Sequence, residues 1–161
     1  MNISITLPDG SIRQYDKAVS ALQVAEDISP RLADASVCAE LDGKLIDLSH
    51  IIESDASLVL HTFKSETGKE VYWHSTAHLM AQAVKQLFPD VLVTIGPAIE
   101  QGFYYDFDRD ASFTDEELLQ IEKCMQELSA QALPYTRTEL SKAEALKLFG
   151  DMGESYKLEL L

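Results

Sequence analysis

Two histidines one helical turn apart, in His74-Ser75-Thr76-Ala77-His78, are the residues of this chain best spaced to do chemistry. On a helix, positions i and i+4 stack on one face. Two imidazoles so placed can share a metal, a substrate hydroxyl or a water. The metal is the weaker use. A zincin helix carries Glu directly after its first His, where Ser75 stands here. A closed zinc site takes four ligands and a catalytic one usually three. His50, His61, Cys38 and Cys124 fall in other expected elements without ligand spacing, so no metal ligand is assigned. Spacing alone fits more often two helix histidines bonded to their surroundings.

Three further segments stand out. Ile95-Gly96-Pro97 is followed by Gly102-Phe103-Tyr104-Tyr105-Asp106. Glycine permits close approach of a ligand or chain, and proline fixes the backbone. On a strand, Phe103 and Tyr105 share one face and Tyr104 takes the other. Taken alone these are core aromatics at a hairpin. The run Asp106, Asp108, Asp110 lacks the glycine and distal Glu of a calcium loop and reads as a solvated turn. Gly153-Glu154-Ser155-Tyr156-Lys157 brings a lysine out of a glycine turn, where it can meet an anionic or carbonyl group but more often lies on the surface.

The elements that position these residues follow from pattern. Ile3, Ile5 and Leu7 alternate with polar residues, Pro8-Asp9-Gly10 turns, and Ile12 to Tyr15 returns. Ser20 and Gln23 have capping-box spacing ahead of the stripe Ala21, Val24, Ala25, Ile28, and Pro30 is expected to close that helix. Val37 to Leu41 and Lys44 to Leu48 flank Asp42-Gly43 as a type I′ hairpin. Leu58-Val59-Leu60 is a last short strand. The order ββαβββ predicts a β-grasp, ubiquitin-like domain. The polar stretch 64–69 is expected to be a linker. A helix from about Val71 to Phe88 follows, with Trp73, Met80, Ala83, Val84 and Leu87 on its apolar face and Pro89 ending it. Two strands are expected around Thr94–Ile99 and Phe103–Phe107. Thr114 and Glu117 cap a helix packing Leu118, Ile121, Met125 and Leu128, and Ser141 and Glu144 cap a shorter one stopped by Gly150. Tyr156 to Leu161 alternates like a strand, placed to pair beside Phe103–Phe107.

Composition bounds the answer. Of 161 residues, 46% are hydrophobic and 25% charged, an ordinary globular balance for one domain or two small ones. No stretch has the apolar length of a membrane span. The start lacks a signal-peptide pattern, and two distant cysteines make no disulfide framework, so a cytoplasmic, membrane-free protein is expected. The net charge is -14. Residues 1–62 hold ten acids against four bases; of the 27 and 13 in all, seventeen and nine remain for 63–161. So acidic a chain binds phosphate backbones poorly by itself.

Together the four segments, in order and spacing, resemble the editing domain of bacterial-type threonyl-tRNA synthetases, and the preceding segment resembles the TGS domain of that family. The resemblance covers the whole chain. It implies an α+β protein: a β-grasp TGS domain over 1–63, then over 64–161 the amino-terminal portion of a threonyl/alanyl-type editing domain. In the family that domain hydrolyses Ser-tRNA(Thr), an error that arises because one methyl group is worth only ~1–3 kcal/mol of discrimination. The resemblance implies that His74 and Lys157 position the substrate and terminal ribose, that His78 helps order the attacking water, and that Tyr105, with Gly96 and Pro97, lines the pocket. It also implies that the family's Asp-x-Cys segment and further histidine lie beyond Leu161. With them lie the class II domain that uses ATP, magnesium and zinc, and the anticodon-binding domain. No cofactor is then expected within the chain, and its partners are the acceptor end of tRNA(Thr) and the rest of a homodimeric synthetase. By itself the chain is expected not to aminoacylate and to edit weakly at best. Two other readings stay in play. One is a TGS-bearing RNA- or protein-binding module without catalysis, against which stands the lack of a GTPase P-loop. The other is a freestanding trans-editing protein, which would need metal ligands downstream of the histidine pair.

Overall fold

The structure, a computed structural model, describes residues 2–161. The chain divides into two compact units, the first ending at Tyr72 and the second starting at Trp73.

The first unit is a five-stranded mixed sheet with one helix packed into its core. Strands β1 (Ile3–Thr6) and β2 (Ile12–Tyr15) form an antiparallel hairpin with Ile3 opposite Tyr15. The short β3 (Val19–Ser20) leads into α1 (Ala21–Ile28) and α2 (Pro30–Ala35). Then come β4 (Ser36–Leu41), β5 (Lys44–Ile46), β6 (Ile51–Ile52) and β7 (Ala56–Thr62). The sheet order is β2-β1-β7-β4-β5, with β1 and β7 parallel at its centre. This is the β-grasp arrangement that the pattern predicts. Alternation in β1 sends Ile3 and Ile5 inward, where they meet Val24 of α1, Leu58 of β7 and Ile52. The β4–β5 turn carries Asp42 and Gly43 at positive φ, 48° and 82°, as a type I′ turn requires. The Ser20–Gln23 capping box forms in full.

Two local expectations are corrected. Pro30 does not end a helix; it begins one. Ser29 closes α1 with its N–H and caps α2 with its side chain, and Pro30 takes the first helical position, where a missing N–H costs nothing. The stretch 64–69 is not an irregular linker, because helix α3 (Glu66–Leu87) starts five residues before Val71. Ser65 Oγ accepts the Gly68 N–H at 3.0 Å, a capping contact that the glycine hides from a propensity reading. The pairing of Val19 with Ile52, between β3 and β6, also goes beyond the pattern.

In the second unit α3 buries Ala77, Ala83 and Val84, whereas Leu87, read as core, is exposed. Four two-residue strands follow: β8 (Leu92–Val93), β9 (Ala98–Ile99), β10 (Gly102–Phe103) and β11 (Phe107–Asp108). The two strands expected here are thus one interrupted hairpin, β9 with β10 at its tip and β8 with β11 at its base. At the interruption Asp106 faces two residues, its N–H donating to the Ile95 carbonyl and its carbonyl accepting from the Thr94 N–H. Two residues against one is a β-bulge, and Pro97, with no N–H for a ladder, explains the break. Asp108 is strand rather than the solvated turn expected for it, while Phe107 is strand as expected.

Helix α4 (Asp115–Ala130) and α5 (Lys142–Asp151) start at the complete capping boxes of Thr114 with Glu117 and Ser141 with Glu144. The buried stripe of α4 is Ile121, Cys124 and Leu128; Leu118 is exposed instead, and Cys124 takes the core position. These residues pack with Ala83, Val84 and Val91. The tail is not a strand. Ser155–Glu159 forms the short helix α6, in which the Lys157 and Leu158 N–H groups both reach the Glu154 carbonyl. Period-two hydrophobicity is satisfied here locally, without the partner ladder that a strand needs.

Gly68 and Gly150 are both helical, with opposite surroundings. A Cβ on Gly68 would stand 2.0 Å from the Thr62 carbonyl oxygen, and one on Gly150 would meet nothing. Alanine normally improves a helix by about 0.5–1 kcal/mol over glycine. Gly150→Ala should therefore raise the thermal unfolding midpoint, whereas Gly68→Ala should lower stability by about 1–3 kcal/mol through overpacking. Equal signs for the two substitutions in a thermal or urea melt would refute this packing.

Candidate functional site

The site lies within the second unit. His74 and His78 project from one face of α3, with their Nε2 atoms 3.0 Å apart and their rings edge to face, centroids 4.6 Å apart. At that distance one Nε2 must donate and the other accept. A neutral pair then comprises two different tautomers, and the donor ring has a bare Nδ1 free to accept a further proton. Protonating both rings would set two N–H groups against each other.

Lys157 arrives from α6 and donates from Nζ to the Thr94 carbonyl at 3.0 Å. That carbonyl belongs to the bulge between β8 and β9, where the ladder does not consume it. Desolvation of the His78 ring, then His74, then the Lys157 charge hold the His78 pKa below its ordinary 6.5. Lys157 thus acts on His78 from a distant part of the sequence.

The aromatic wall is built from the same hairpin. Phe103, Tyr105 and Phe107 are partly buried while Tyr104 and Asp106 are exposed, as strand alternation predicts. Tyr105 and Phe107 stack with centroids 4.9 Å apart. The Tyr105 ring lies directly on Gly96, where a Cβ would stand 2.1 Å from the ring. Gly96 is therefore needed for close approach, and Pro97 stiffens the next position. Burial and then the nearby Glu154 raise the Tyr105 phenol pKa, so it stays neutral. Beside His78 a groove of about 380 Å³ opens, lined by Leu79, Gln82, Leu128, Leu133 and Tyr135 among others. All six sequence-expected residues lie on these elements. Contacts join His74 with His78 and Gly96 with Tyr105, and charge joins Lys157 to His78; among the described residues no such contact ties Gly96, Pro97 or Tyr105 to the histidine pair. The Thr94 carbonyl, Phe107, Glu154 and Lys85 went unread in the sequence. Only Glu154 had a signal there, its place inside the Gly153–Lys157 segment.

Among the described residues no group of three or more His, Cys, Asp or Glu is arranged to hold a metal ion. Both cysteines are free and buried. No helix among the described residues is long and apolar enough to cross a membrane.

Comparison with known proteins places the first unit. Residues 3–62 match the TGS domain family. Those residues are a TGS domain. Over nearly its whole length the chain is homologous to the amino-terminal regions of threonine–tRNA ligases. It is 53% identical over 157 residues to the ligase of Methylococcus capsulatus, covering 98% of this chain and 25% of that protein. It is 52% identical to the one from Hahella chejuensis over the same span, and 48% identical over 159 residues to the one from Carboxydothermus hydrogenoformans. The chain spans about a quarter of the length of the curated relatives it matches.

The geometry sets a titration. His78 should titrate below 6.5 by ring-proton NMR, and Lys157→Met should move it upward by removing one positive neighbour. Because the folded pKa lies below the unfolded value, the unfolded chain takes up that proton first. His78's contribution to stability therefore falls as pH drops through 6.5, and levels off once the folded ring is protonated too. An unchanged His78 titration in Lys157→Met would break the link.

Proposed function

We propose that residues 74–157 supply part of a hydrolytic editing site that clears serine from tRNA(Thr), within a threonine–tRNA ligase whose TGS domain precedes it. The proposed functional division is 1–63 and 64–161. The observation that carries this reading is the 3.0 Å histidine pair beside a lysine fixed on a main-chain carbonyl. Water adds to the ester carbonyl carbon, the bond to the ribose oxygen breaks, the proton taken from water ends on that oxygen, and serine and tRNA leave. The bare Nδ1 of the neutral pair accepts that proton, and depression of the His78 pKa keeps that ring neutral near pH 7. In this scheme His78 orders the water, while His74 and the Lys157 ammonium hold oxygen atoms of the ester and ribose. The groove beside His78 is of ligand-pocket size and apolar enough for the terminal nucleoside. Tyr105, seated on Gly96, forms a wall that leaves room for a serine hydroxyl and crowds the additional methyl of threonine.

Aminoacylation, with its ATP, magnesium and zinc, is proposed to reside outside residues 1–161, as are homodimer contacts. The net charge of -14 fits that division, since most phosphate neutralisation would then come from elsewhere in the ligase.

The test is Ser-tRNA(Thr) deacylation by this chain extended with the downstream three quarters of the Methylococcus capsulatus relative. His78→Ala and Lys157→Ala should each slow it by roughly 10²–10⁴-fold. The wild-type rate should fall on an acid limb centred below 6.5. Near-wild-type deacylation in both variants would remove His78 and Lys157 from the hydrolysis, and a wild-type chain that does not deacylate would favour a binding module. In the same chain Gly96→Ala should push the Tyr105 ring off its seat and narrow the preference for Ser-tRNA(Thr) over Thr-tRNA(Thr). An unchanged preference would remove the wall from the account.

A further inference from the structure

Glu154 is the most buried charged residue described, 6% exposed, and sits at the turn into α6. Its Oε1 lies 3.2 Å from Lys85 Nζ, while Oε2 is buried without a hydrogen-bond partner. Lys85, in the last turn of α3, also donates to the Pro89 carbonyl at 3.1 Å and the Val91 carbonyl at 3.2 Å. One ammonium thus gathers the end of α3, the segment entering β8 and the turn into α6. The Glu154 carbonyl accepts the Lys157 N–H, and Lys157 Nζ then reaches Thr94 just past β8. The other side-chain tether of α6, Tyr156 to Asp108 at 2.8 Å, is exposed.

An ion pair with its carboxylate buried and its ammonium a third exposed is weak as a stabiliser, because desolvation of the carboxylate cancels most of the Coulomb gain. A carboxylate with one oxygen left unpaired is weaker still. Its value has to lie in what it fixes. We propose that the Lys85–Glu154 pair is a positioning device, which sets the reach of Lys157 to Thr94 and so its placement against His74 and His78. Neither residue touches the reacting atoms in the hydrolysis proposed above. The inference rests on that reading only for its effect on rate; the placement of Lys157 is measured separately.

The experiment compares wild type with Lys85→Met/Glu154→Leu, which replaces the pair by apolar side chains of similar size. Such replacements are often neutral or stabilising for the fold. The expected result is an unfolding midpoint near wild type, together with a His78 titration shifted upward as in Lys157→Met. In the extended chain, kcat for Ser-tRNA(Thr) deacylation should fall by about tenfold or more, as misplacement of a positioning group predicts, with KM changed less. Glu154→Asp keeps the charge and shortens the reach; it should give a smaller shift in the same direction, and it carries the test if the double variant does not fold. A His78 titration that stays at its wild-type position in the folded variants would overturn the proposal. A shifted titration in a chain whose wild type does not deacylate Ser-tRNA(Thr) would leave the positioning standing and remove the hydrolytic reading instead.

Discussion

One hydrogen bond, from the Lys157 ammonium to the Thr94 carbonyl, ties together the parts of the second unit that bear on chemistry. It needs a carbonyl free of the ladder, and the β-bulge at Asp106 provides it. It needs a lysine held in reach, and α6 with its buried Glu154 provides that. It sets a fixed positive charge near the histidine pair, where a second proton is already resisted by the 3.0 Å contact between Nε2 atoms. That contact spans 63 residues of sequence, joins the backbone irregularity to the short helix, and adds the Lys157 charge to the desolvation and the His74 ring that depress the His78 pKa.

The same economy appears at the aromatic wall. Stacking Tyr105 on Phe107 and seating it on Gly96 needs a residue without Cβ at one position and strand alternation over three others. The first unit is built differently. Its β-grasp sheet rests on alternating Ile, Val and Leu side chains around α1, and its boundaries are set by caps and turns. A chain of net charge -14 has little affinity of its own for a phosphate backbone. In the proposed ligase, this portion would inspect an acceptor end delivered by other segments.

Much of the fold was legible because its signals are local. Three capping boxes, the Asp42-Gly43 turn and the alternation of β1 each depend on residues within a few positions of one another. The histidine pair was legible for the same reason, since one helical turn separates its members. What the sequence hid was non-local or double-valued. Leu158 and Leu160 alternate as readily on a short helix as on a strand, and the tail took the helix. Gly68 weakens a helical pattern, yet it is required where α3 passes the Thr62 carbonyl. The bulge at Asp106 and the Lys85–Glu154 pair arise only once distant segments meet. The glycine turn and the resemblance both singled out Lys157, with a carbonyl among its expected partners, but neither named Thr94 as the carbonyl it holds.

The most direct measurement is a crystal structure of the extended chain with a non-hydrolysable seryl amide of adenosine. The account predicts the seryl carbonyl within hydrogen-bond reach of the His74–His78 pair or its ordered water, a ligand oxygen on Lys157, and the side chain against Tyr105. Ligand bound elsewhere, or bound in the groove with its carbonyl remote from the histidines and Lys157, would contradict it.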